Sequence, residues 1–250
     1  MLARENATPR TTSNVNISSS SSYFSFEEFL RGWHRRQDDL LAEITTAVEE
    51  DMAEGGEDAA KELIARALAH FEEYYVYKSR AAYDDVFSLF SPTCCSSFEC
   101  AFMWNAGFRP GVLLELVFDS VRNLSPRQTE AIYRLKRQTR MEEKQISDEI
   151  ARIQETVAAP SIMQSLRDGA RCPPMEDQPF NVTTNEAVGR LQGMLEEVMA
   201  KADTLRVSTA ANVAEILIPA QGLRFLAAAL RVQQGMRKLS RTIGGDSLMM

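Results

Sequence analysis

Apolar side chains recur every three or four residues along most of this chain, a spacing that places them on one face of an α-helix. The first stripe follows a Ser25–Glu28 capping box and predicts one long helix. Its members are Phe26, Phe29, Leu30, Trp33, Gln37, Leu40, Leu41, Ile44 and Val48. Further stripes predict helices over 58–78, over 86–90 and, behind a Ser96–Glu99 capping box, over a segment that contains Phe102 and Trp104.

The strongest helix start is Ser125-Pro126-Arg127-Gln128, which combines an N-cap serine, a proline in the first turn and a glutamine that completes a capping box. It predicts a helix over 126–158, about 50 Å long. Thr183 and Pro219 predict two further helix starts. No alternating strand pattern competes with these stripes. The predicted fold class is all-α: a bundle of long antiparallel amphipathic helices with short helices inserted between the first and third long elements.

Composition predicts how the chain divides into segments. Residues 1–22 are rich in serine, threonine and asparagine, and we expect a disordered tail there. Residues 23–246 are expected to form one helical domain, with an internal loop at 168–182 that is marked by glycine and prolines. Residues 247–250 are expected to be a flexible end.

A corner between two buried helices is predicted at residues 102–111, Phe-Met-Trp-Asn-Ala-Gly-Phe-Arg-Pro-Gly. A glycine stops an apolar helical run there and a proline restarts it. The candidate structural residues are Trp104, Gly107, Phe108, Arg109 and Pro110. We expect Arg109 to cap backbone carbonyls or to pair with a carboxylate such as Asp84 or Asp85, and so to matter for folding.

The charge balance limits the classes of partner. A formal net charge of −7 argues against a surface built mainly to hold nucleic acid. No apolar stretch reaches the ~18 residues of a membrane span, and the first residues lack the apolar core of a secretory signal. We therefore expect no transmembrane segment and a nuclear or cytoplasmic location.

No combination of residues predicts a reactive site. The four cysteines lack metal or redox spacing, and the two histidines, His34 and His70, lie far apart in sequence. The chain contains no Gly-x-Ser-x-Gly elbow, and its glycines lack the spacing of a phosphate loop. We therefore predict a protein that is not an enzyme and that needs no cofactor or metal.

One basic patch is a candidate surface for an acidic or calmodulin-like partner. It consists of Arg134, Lys136, Arg137 and Arg140 on the long predicted helix. The simpler interpretation, which we prefer, is a solvated helix face whose cations pair with Glu130, Glu142 and Glu143, since opposite charges four residues apart on a helix suffice to explain it.

Several segments together carry a family resemblance. They are Phe29-Leu30-Arg31-Gly32-Trp33 with Gln37, Asp84–Phe90, Phe102–Pro110, Gln128–Val157, Ala202-Asp203-Thr204-Leu205-Arg206 and Ile218-Pro219-Ala220-Gln221. With these segments in this order, residues 23–246 resemble the domain shared by plant seed-dormancy (delay-of-germination) proteins and the C-terminal part of TGA-type bZIP transcription factors.

The resemblance implies a non-enzymatic module that acts through regulatory proteins, such as transcription factors or a phosphatase, in transcriptional or developmental regulation. Seed-dormancy and pollen-aperture roles both occur in the family. Phe29, Leu30 and Trp33 approximate the family's phosphatase-contacting Tyr-Leu-x-Trp segment and are candidate partner-binding residues; Trp33 is otherwise expected in the core. The C-terminal histidines associated with haem have no counterpart here.

Three points stay open at the level of sequence. A helical sensor of a small apolar ligand is the alternative function, because long helices around an apolar interior can enclose such a molecule. Independent sequence-specific DNA binding ranks last, since only 22 polar residues precede the domain and no basic helix is present to enter a major groove. A homo-oligomer is possible.

Overall fold

The computed structural model describes residues 18–50, 56–92, 95, 97–157 and 182–246. Within these residues the chain forms helices and no strands, which confirms the predicted all-α class. The helices are α1 (Ser18–Glu49), α2 (Gly56–Phe90), α3 (Ser97–Ala101), α4 (Gly111–Ser120), α5 (Pro126–Val157), α6 (Val182–Ile216) and α7 (Pro219–Asp246). None of them combines the length and the apolar character that a membrane crossing needs.

The long helices pack side by side in antiparallel pairs. Along α1 and α2, Phe29 meets Tyr77 and Glu43 meets Arg66, so the partners run in opposite directions. Three further helix pairs are antiparallel for the same reason. α2 and α6 meet at Lys78–Asp203 and Tyr83–Gln192, and α5 and α6 meet at Gln128–Ile216 and Glu149–Lys201. α1 and α7 meet at Gln37–Arg237 and Thr45–Arg231. The short helices α3 and α4 lie between α2 and α5 in sequence, and both pack on α7.

The main hydrophobic core is formed by side chains of α1, α2, α4, α5, α6 and α7. Ile44, Leu114, Val117 and Ile132 are completely buried in it, and so is Leu230. The stretch 221–230 of α7 is buried at nearly every position, so this helix is covered on almost all sides. Each large apolar side chain buried in this way stabilises the fold by about 1.5–3 kcal/mol.

The start of α5 agrees with the sequence. The Gln128 amide donates to the Ser125 hydroxyl at 3.2 Å, and the Ser125 amide donates to the Gln128 side chain at 3.0 Å, which confirms the capping box. The other predicted starts are also close, since α7 begins at Pro219 and α6 begins one residue before Thr183.

The α6–α7 turn is held by an amide cluster, formed by the side chains of Gln128 and Gln221 and the backbone they contact. Gln128 donates to the Ile216 carbonyl at 3.0 Å and to the Gln221 side chain at 2.8 Å. Gln221 accepts from the Ile218 amide at 3.2 Å and donates to the Asn123 carbonyl at 3.3 Å. Asn123 itself is in the left-handed region, with φ of 62°. The α4–α5 loop and the α6–α7 turn are therefore one hydrogen-bonded unit.

The predicted start of the first helix is wrong. α1 begins at Ser18 and runs straight through the Ser25–Glu28 capping box, so residues 18–22 are helical rather than part of a disordered tail. A capping box is only a local preference for a helix start. A serine inside a helix destabilises it by only about 0.5 kcal/mol relative to alanine. Residues 1–17 of the predicted tail, residues 168–181 of the predicted loop and residues 247–250 lie outside the described residues.

The second and third predicted helices form one helix with a break. α2 is interrupted at Asp85, which has extended backbone angles (φ −155°, ψ 90°). The Asp85 carboxylate accepts from the Ser88 amide at 3.2 Å and so caps the last turn as if it were a new helix. That turn ends at Phe90, before Pro92, as predicted. The helix continues through 79–84, where Ala81 and Ala82 pack in a cluster with Phe26.

Candidate functional site

The segment between α3 and α4, residues 102–110, forms a tight corner. The Trp104 amide donates to the Gly107 carbonyl at 2.6 Å and closes a turn. Inside that turn Asn105 and Ala106 have φ of 47° and 56°, a left-handed conformation that is unfavourable for residues with a Cβ atom. α3 ends at Ala101, so the prediction that Phe102 and Trp104 are helical is wrong. The corner depends on contacts from elsewhere in the fold.

Those contacts come from Arg206 of α6. Its guanidinium donates to the carbonyls of Phe108 at 2.7 Å and Asn105 at 3.0 Å, and also to the carbonyl of Trp104. The rigid fork of donors on arginine suits carbonyls that converge from one turn. A Cβ atom on Gly107 would lie 2.8 Å from the Arg206 Cζ, so glycine is required for this close approach. Two segments about a hundred residues apart therefore form one structural unit.

Arg206 belongs to a buried ionic cluster with Lys78 and Asp203. Lys78 Nζ lies 2.8 Å from Asp203 Oδ1, and Arg206 binds the same oxygen. Lys78 is 1% exposed, so two cations share one carboxylate in the protein interior. Burial lowers the pKa of Lys78 to about 8, with the Arg206 charge acting in the same direction and Asp203 opposing it. Burial also raises the pKa of the neighbouring Tyr74 and Tyr75 above the usual value.

Helix α5 holds the other side of the corner. The Trp104 indole donates to the Ser147 hydroxyl at 3.0 Å. The Glu143 carboxylate accepts from the amide of Gly111, the first residue of α4, at 2.7 Å, where it compensates the positive end of that helix. Glu143 is 6% exposed, so its prediction as part of a solvated face is wrong. The backbone of the corner is thus fixed from α5 and α6 together.

Arg109 pairs with a carboxylate, as predicted, but its partner is Glu143 rather than Asp84 or Asp85. Its Nε lies 3.6 Å from Glu143 Oε2, and its guanidinium lies over the Trp104 ring at 5.6 Å. The carbonyls that it was expected to cap are bound by Arg206 instead. The reason is position: the carbonyls of the turn face α6, whereas the Arg109 side chain is half exposed on the outside. A structural role for Arg109 stays a prediction.

The residues of the ionic cluster were not singled out as a site by the sequence. Two signals point to them. Lys78 continues the apolar stripe of α2, where a charge is expensive. Asp203 and Arg206 lie in a segment that carries the resemblance, at a three-residue spacing that places them on one face of α6.

A small apolar cavity lies beside the corner. Its volume is about 90 Å³, and Phe71, Phe108, Leu113 and Phe225 line it, with Arg206 among the polar contributors. Typical small-molecule sites are several times larger, about 300–1,000 Å³. Among the residues that the structure describes, no cluster of histidine, cysteine or acidic side chains has the arrangement of a metal site.

The candidate partner-binding residues lie where α1 meets α2. Trp33 is 4% exposed, its indole donates to the His70 carbonyl at 2.8 Å, and its ring stacks on His70 at 4.4 Å. Phe29 stacks on Tyr77 with ring centroids 3.9 Å apart, while Leu30 is half-buried beside them. The accessible part of this contact is therefore the Phe29–Tyr77 pair, and Trp33 lies behind it in the core.

The His70 ring is neutral at physiological pH. Burial, assisted by the Arg36 charge, lowers its pKa to about 4. The stacked Trp33–His70 pair therefore packs as two uncharged rings.

The basic patch on α5 is largely paired. Arg134 binds Glu130 at 3.0 Å, and Lys136 and Arg140 lie 2.6 Å and 3.5 Å from Glu115 of α4. The predicted pairing with Glu130 is confirmed. The predicted pairing with Glu142 and Glu143 is wrong, because Glu142 accepts from Gln138 and Glu143 is buried at the corner. Arg137 is exposed. A solvated face with neutralised charges is the better description of this patch.

Comparisons of the sequence with known proteins find a matching family model and several similar proteins. A family model described as seed dormancy control matches residues 40–119, a range that contains Lys78 and the whole corner. The chain is similar to Protein ZW2 of Arabidopsis thaliana, with 30% identity over 229 residues, which is 84% of this chain and 93% of that protein. RESPONSE TO ABA AND SALT 1 of the same plant is 30% identical over 210 residues, which is 82% and 90% of the two chains.

Proteins of a second group match over a smaller share of their length. The TGACG-sequence-specific DNA-binding protein TGA-2.1 of Nicotiana tabacum is 29% identical over 213 residues, which is 83% of this chain and 44% of that protein. Transcription factor TGA7 of Arabidopsis thaliana is 28% identical over 216 residues, 86% of this chain and 55% of the factor.

Proposed function

Because the chain belongs to the seed dormancy control family, we propose that it is a regulatory interaction module that works without catalysis, through protein partners. The observation that carries this proposal is its similarity to two Arabidopsis proteins over at least nine-tenths of their length. One of them carries the name RESPONSE TO ABA AND SALT 1. The buried ionic cluster supports the proposal, since its charged groups hold a corner of the backbone and are closed to substrate.

We place the role in transcriptional or developmental regulation, in the nucleus, the cytoplasm or both. The chain matches about half the length of one protein named as DNA-binding and of one named as a transcription factor, so the matched segment is what it has in common with them. Direct DNA binding is not part of the proposal. The net charge of −7 disfavours contact with phosphates, and the cations of α5 are mostly paired with carboxylates.

We propose that partners dock on the Phe29–Tyr77 surface, with Leu30 at its side. Tyr77 is 38% exposed, and the Arg80 guanidinium lies 5.4 Å from the centre of its ring. Aromatic and arginine side chains contribute most to binding energy at interfaces. Trp33 supports this surface from behind because its hydrogen bond to α2 fixes the spacing of the two helices. A regulatory phosphatase, a transcription factor or a calmodulin-like protein is the kind of partner expected.

Proximity labelling in plant tissue tests this surface. We expect the double substitution Phe29→Ala with Tyr77→Ala to remove most labelled partners, because it deletes both accessible rings. Tyr133→Ala is the matched control, since Tyr133 is 49% exposed on α5 and lies away from the surface. Circular dichroism and thermal melting establish that each variant is folded. If the folded double variant labels the same partners as the wild type, docking on this surface is wrong.

A further inference from the structure

A serine followed by proline occurs twice within the residues that the structure describes, at Ser91 and at Ser125. Both serines are exposed, but their places in the fold are opposite. Ser91 follows the last residue of α2, where its amide donates to the Phe87 carbonyl at 3.2 Å. Ser125 precedes the first residue of α5 and caps that helix. A phosphate would therefore meet the negative end of one helix and the positive end of the other.

The loop that carries Ser125 is open to another protein. Residues 121–125 are non-helical, Val121 has extended backbone angles, and the segment 122–127 is exposed except at Leu124. The Ser125 oxygen accepts one hydrogen bond from the Gln128 amide. The Ser125 hydroxyl donates no hydrogen bond to any residue that the structure describes. Replacing its hydrogen by a phosphate therefore breaks no such bond.

Two arginines flank this serine. Arg122 lies three residues before it and Arg127 two residues after it, and both are exposed. Neither has a carboxylate partner among the described residues, in contrast to Arg134 and Arg140 further along α5, which are paired. The loop thus carries two positive charges that are free to bind a new anion.

We propose that Ser125 is a phosphorylation site for a proline-directed serine kinase, and that the phosphate strengthens the start of α5. The Ser125 oxygen attacks the γ-phosphorus of ATP, a new oxygen–phosphorus bond forms, and the bond to the ADP oxygen breaks. The hydroxyl proton passes to the base of the kinase. The phosphate adds a charge of about −1.5 to −2 at the positive end of a 32-residue helix.

The effect extends beyond one helix end because Ser125 adjoins the amide cluster. The Gln128 side chain that bonds to the Ser125 amide also bonds to Ile216 and Gln221. A firmer cap on α5 therefore holds the α6–α7 turn more tightly. This inference does not depend on docking at the Phe29–Tyr77 surface, so either proposal can fail alone.

The test uses the full chain with ATP, magnesium and a purified proline-directed kinase, with Ser125→Ala and Ser91→Ala as matched variants. Phosphopeptide mapping should find phosphate on Ser125 of the folded protein, and the Ser125→Ala chain should lose it. The phosphate on Ser125 should raise the melting temperature by about 1–4 °C. The proposal is overturned if Ser125 is modified only in the heat-unfolded chain, or if its phosphate lowers or does not change the melting temperature.

Aspartate substitutions give a second, kinase-independent measurement. Ser125→Asp should keep or raise the melting temperature, because aspartate is a good N-cap and favours the positive helix end. Ser91→Asp should lower it by about 1–3 °C, because the same charge meets the negative end of α2. Shifts of the same sign in the two variants would contradict the proposed effect of phosphate on α5.

Discussion

The ionic cluster and the amide cluster both fix the backbone of a connection between helices, the first through charged side chains and the second through neutral ones. The ionic cluster binds the carbonyls of a corner that contains the left-handed residues Asn105 and Ala106. The amide cluster binds the carbonyl of Asn123, which is also left-handed, and the backbone of the α6–α7 turn. In both cases a side chain from a distant helix fixes an unfavourable backbone conformation.

The difference between the clusters lies in what is lost when one member is removed. Breaking a buried ion pair leaves an uncompensated charge and costs about 3–5 kcal/mol. An unsatisfied neutral group costs about 1–3 kcal/mol. The corner needs the stronger fixing because alanine disfavours the left-handed region, whereas asparagine tolerates it. The corner, whose backbone is the more strained of the two, is therefore the connection held by charged side chains.

The largest effect is expected from Asp203→Asn. This substitution leaves Lys78 and Arg206 buried without a counter-charge, so the free energy of unfolding should fall by about 3–5 kcal/mol in urea denaturation. Asp38→Asn is the control, because Asp38 is an exposed carboxylate bonded to Arg237, and its loss should cost less than about 1 kcal/mol. Similar losses in the two variants would mean that the cluster does not act as a buried ion pair.

A smaller loss is expected from Gly107→Ala. The added Cβ would lie 2.8 Å from the Arg206 Cζ and would displace the guanidinium from the carbonyls, at a cost of about 1–3 kcal/mol. Gly193→Ala is the control, since its Cβ meets nothing within 4 Å in the middle of α6 and should stabilise the helix by up to about 1 kcal/mol. Urea denaturation measures both, and opposite signs are the expected result.

The amide cluster is tested by Gln221→Leu. Leucine is similar in size and removes the bonds to Gln128, Ile218 and Asn123, so we expect a loss of about 2 kcal/mol in urea denaturation. Hydrogen exchange should increase at the Ile218 amide while the corner keeps its protection. A loss as large as that of Asp203→Asn would remove the distinction between charged and neutral clusters.

Lys78→Met is expected to have the smallest effect on the free energy of unfolding at neutral pH. Unlike Asp203→Asn, Gly107→Ala and Gln221→Leu, it should not lower this free energy. Asp203 keeps Arg206 as its partner, so the cluster loses only its surplus cation, and stability should stay the same or increase. The pKa of Lys78 in the folded protein, about 8, lies below the ordinary lysine value of 10.5. Between these values the unfolded chain binds more protons, so this group makes wild-type stability rise with pH.

The advantage of Lys78→Met over the wild type should therefore shrink between pH 8 and pH 9.5 in urea denaturation. A difference between the two proteins that stays constant over this range would mean that Lys78 keeps its proton in the fold.

The sequence predicts the helices of this fold better than the contacts that lock them. The starts at Ser125 and Pro219 are signalled within a few residues, because caps and first-turn prolines act locally. The predicted start behind Ser25 fails because the same local signal does not prevent an earlier turn from forming. Two separate helices over 58–78 and 86–90 were predicted, whereas the chain forms one helix that is interrupted only at Asp85.

The corner was visible in the sequence, but its partners were not. Arg109 is adjacent to the corner and was assigned the carbonyls, whereas Arg206 lies about a hundred residues away and binds them. Nothing in the spacing of either segment specifies this long-range pair. Glu143 was likewise assigned to a solvated face because its burial depends on how α4 crosses α5. The partner-binding role of Phe29, Leu30 and Trp33 stays a prediction.

The position of α7 has a consequence for how this protein is made. It follows every other described helix in sequence, yet α1, α2, α3 and α4 all pack against it. Its hydrogen bonds to α1 join residues as far apart as Gln37 and Arg237. During synthesis the faces of α1, α2, α3 and α4 that pack on α7 therefore have no partner until α7 leaves the ribosome. Nascent chains should depend on chaperones up to that moment, and a premature stop before residue 219 should yield an aggregating product.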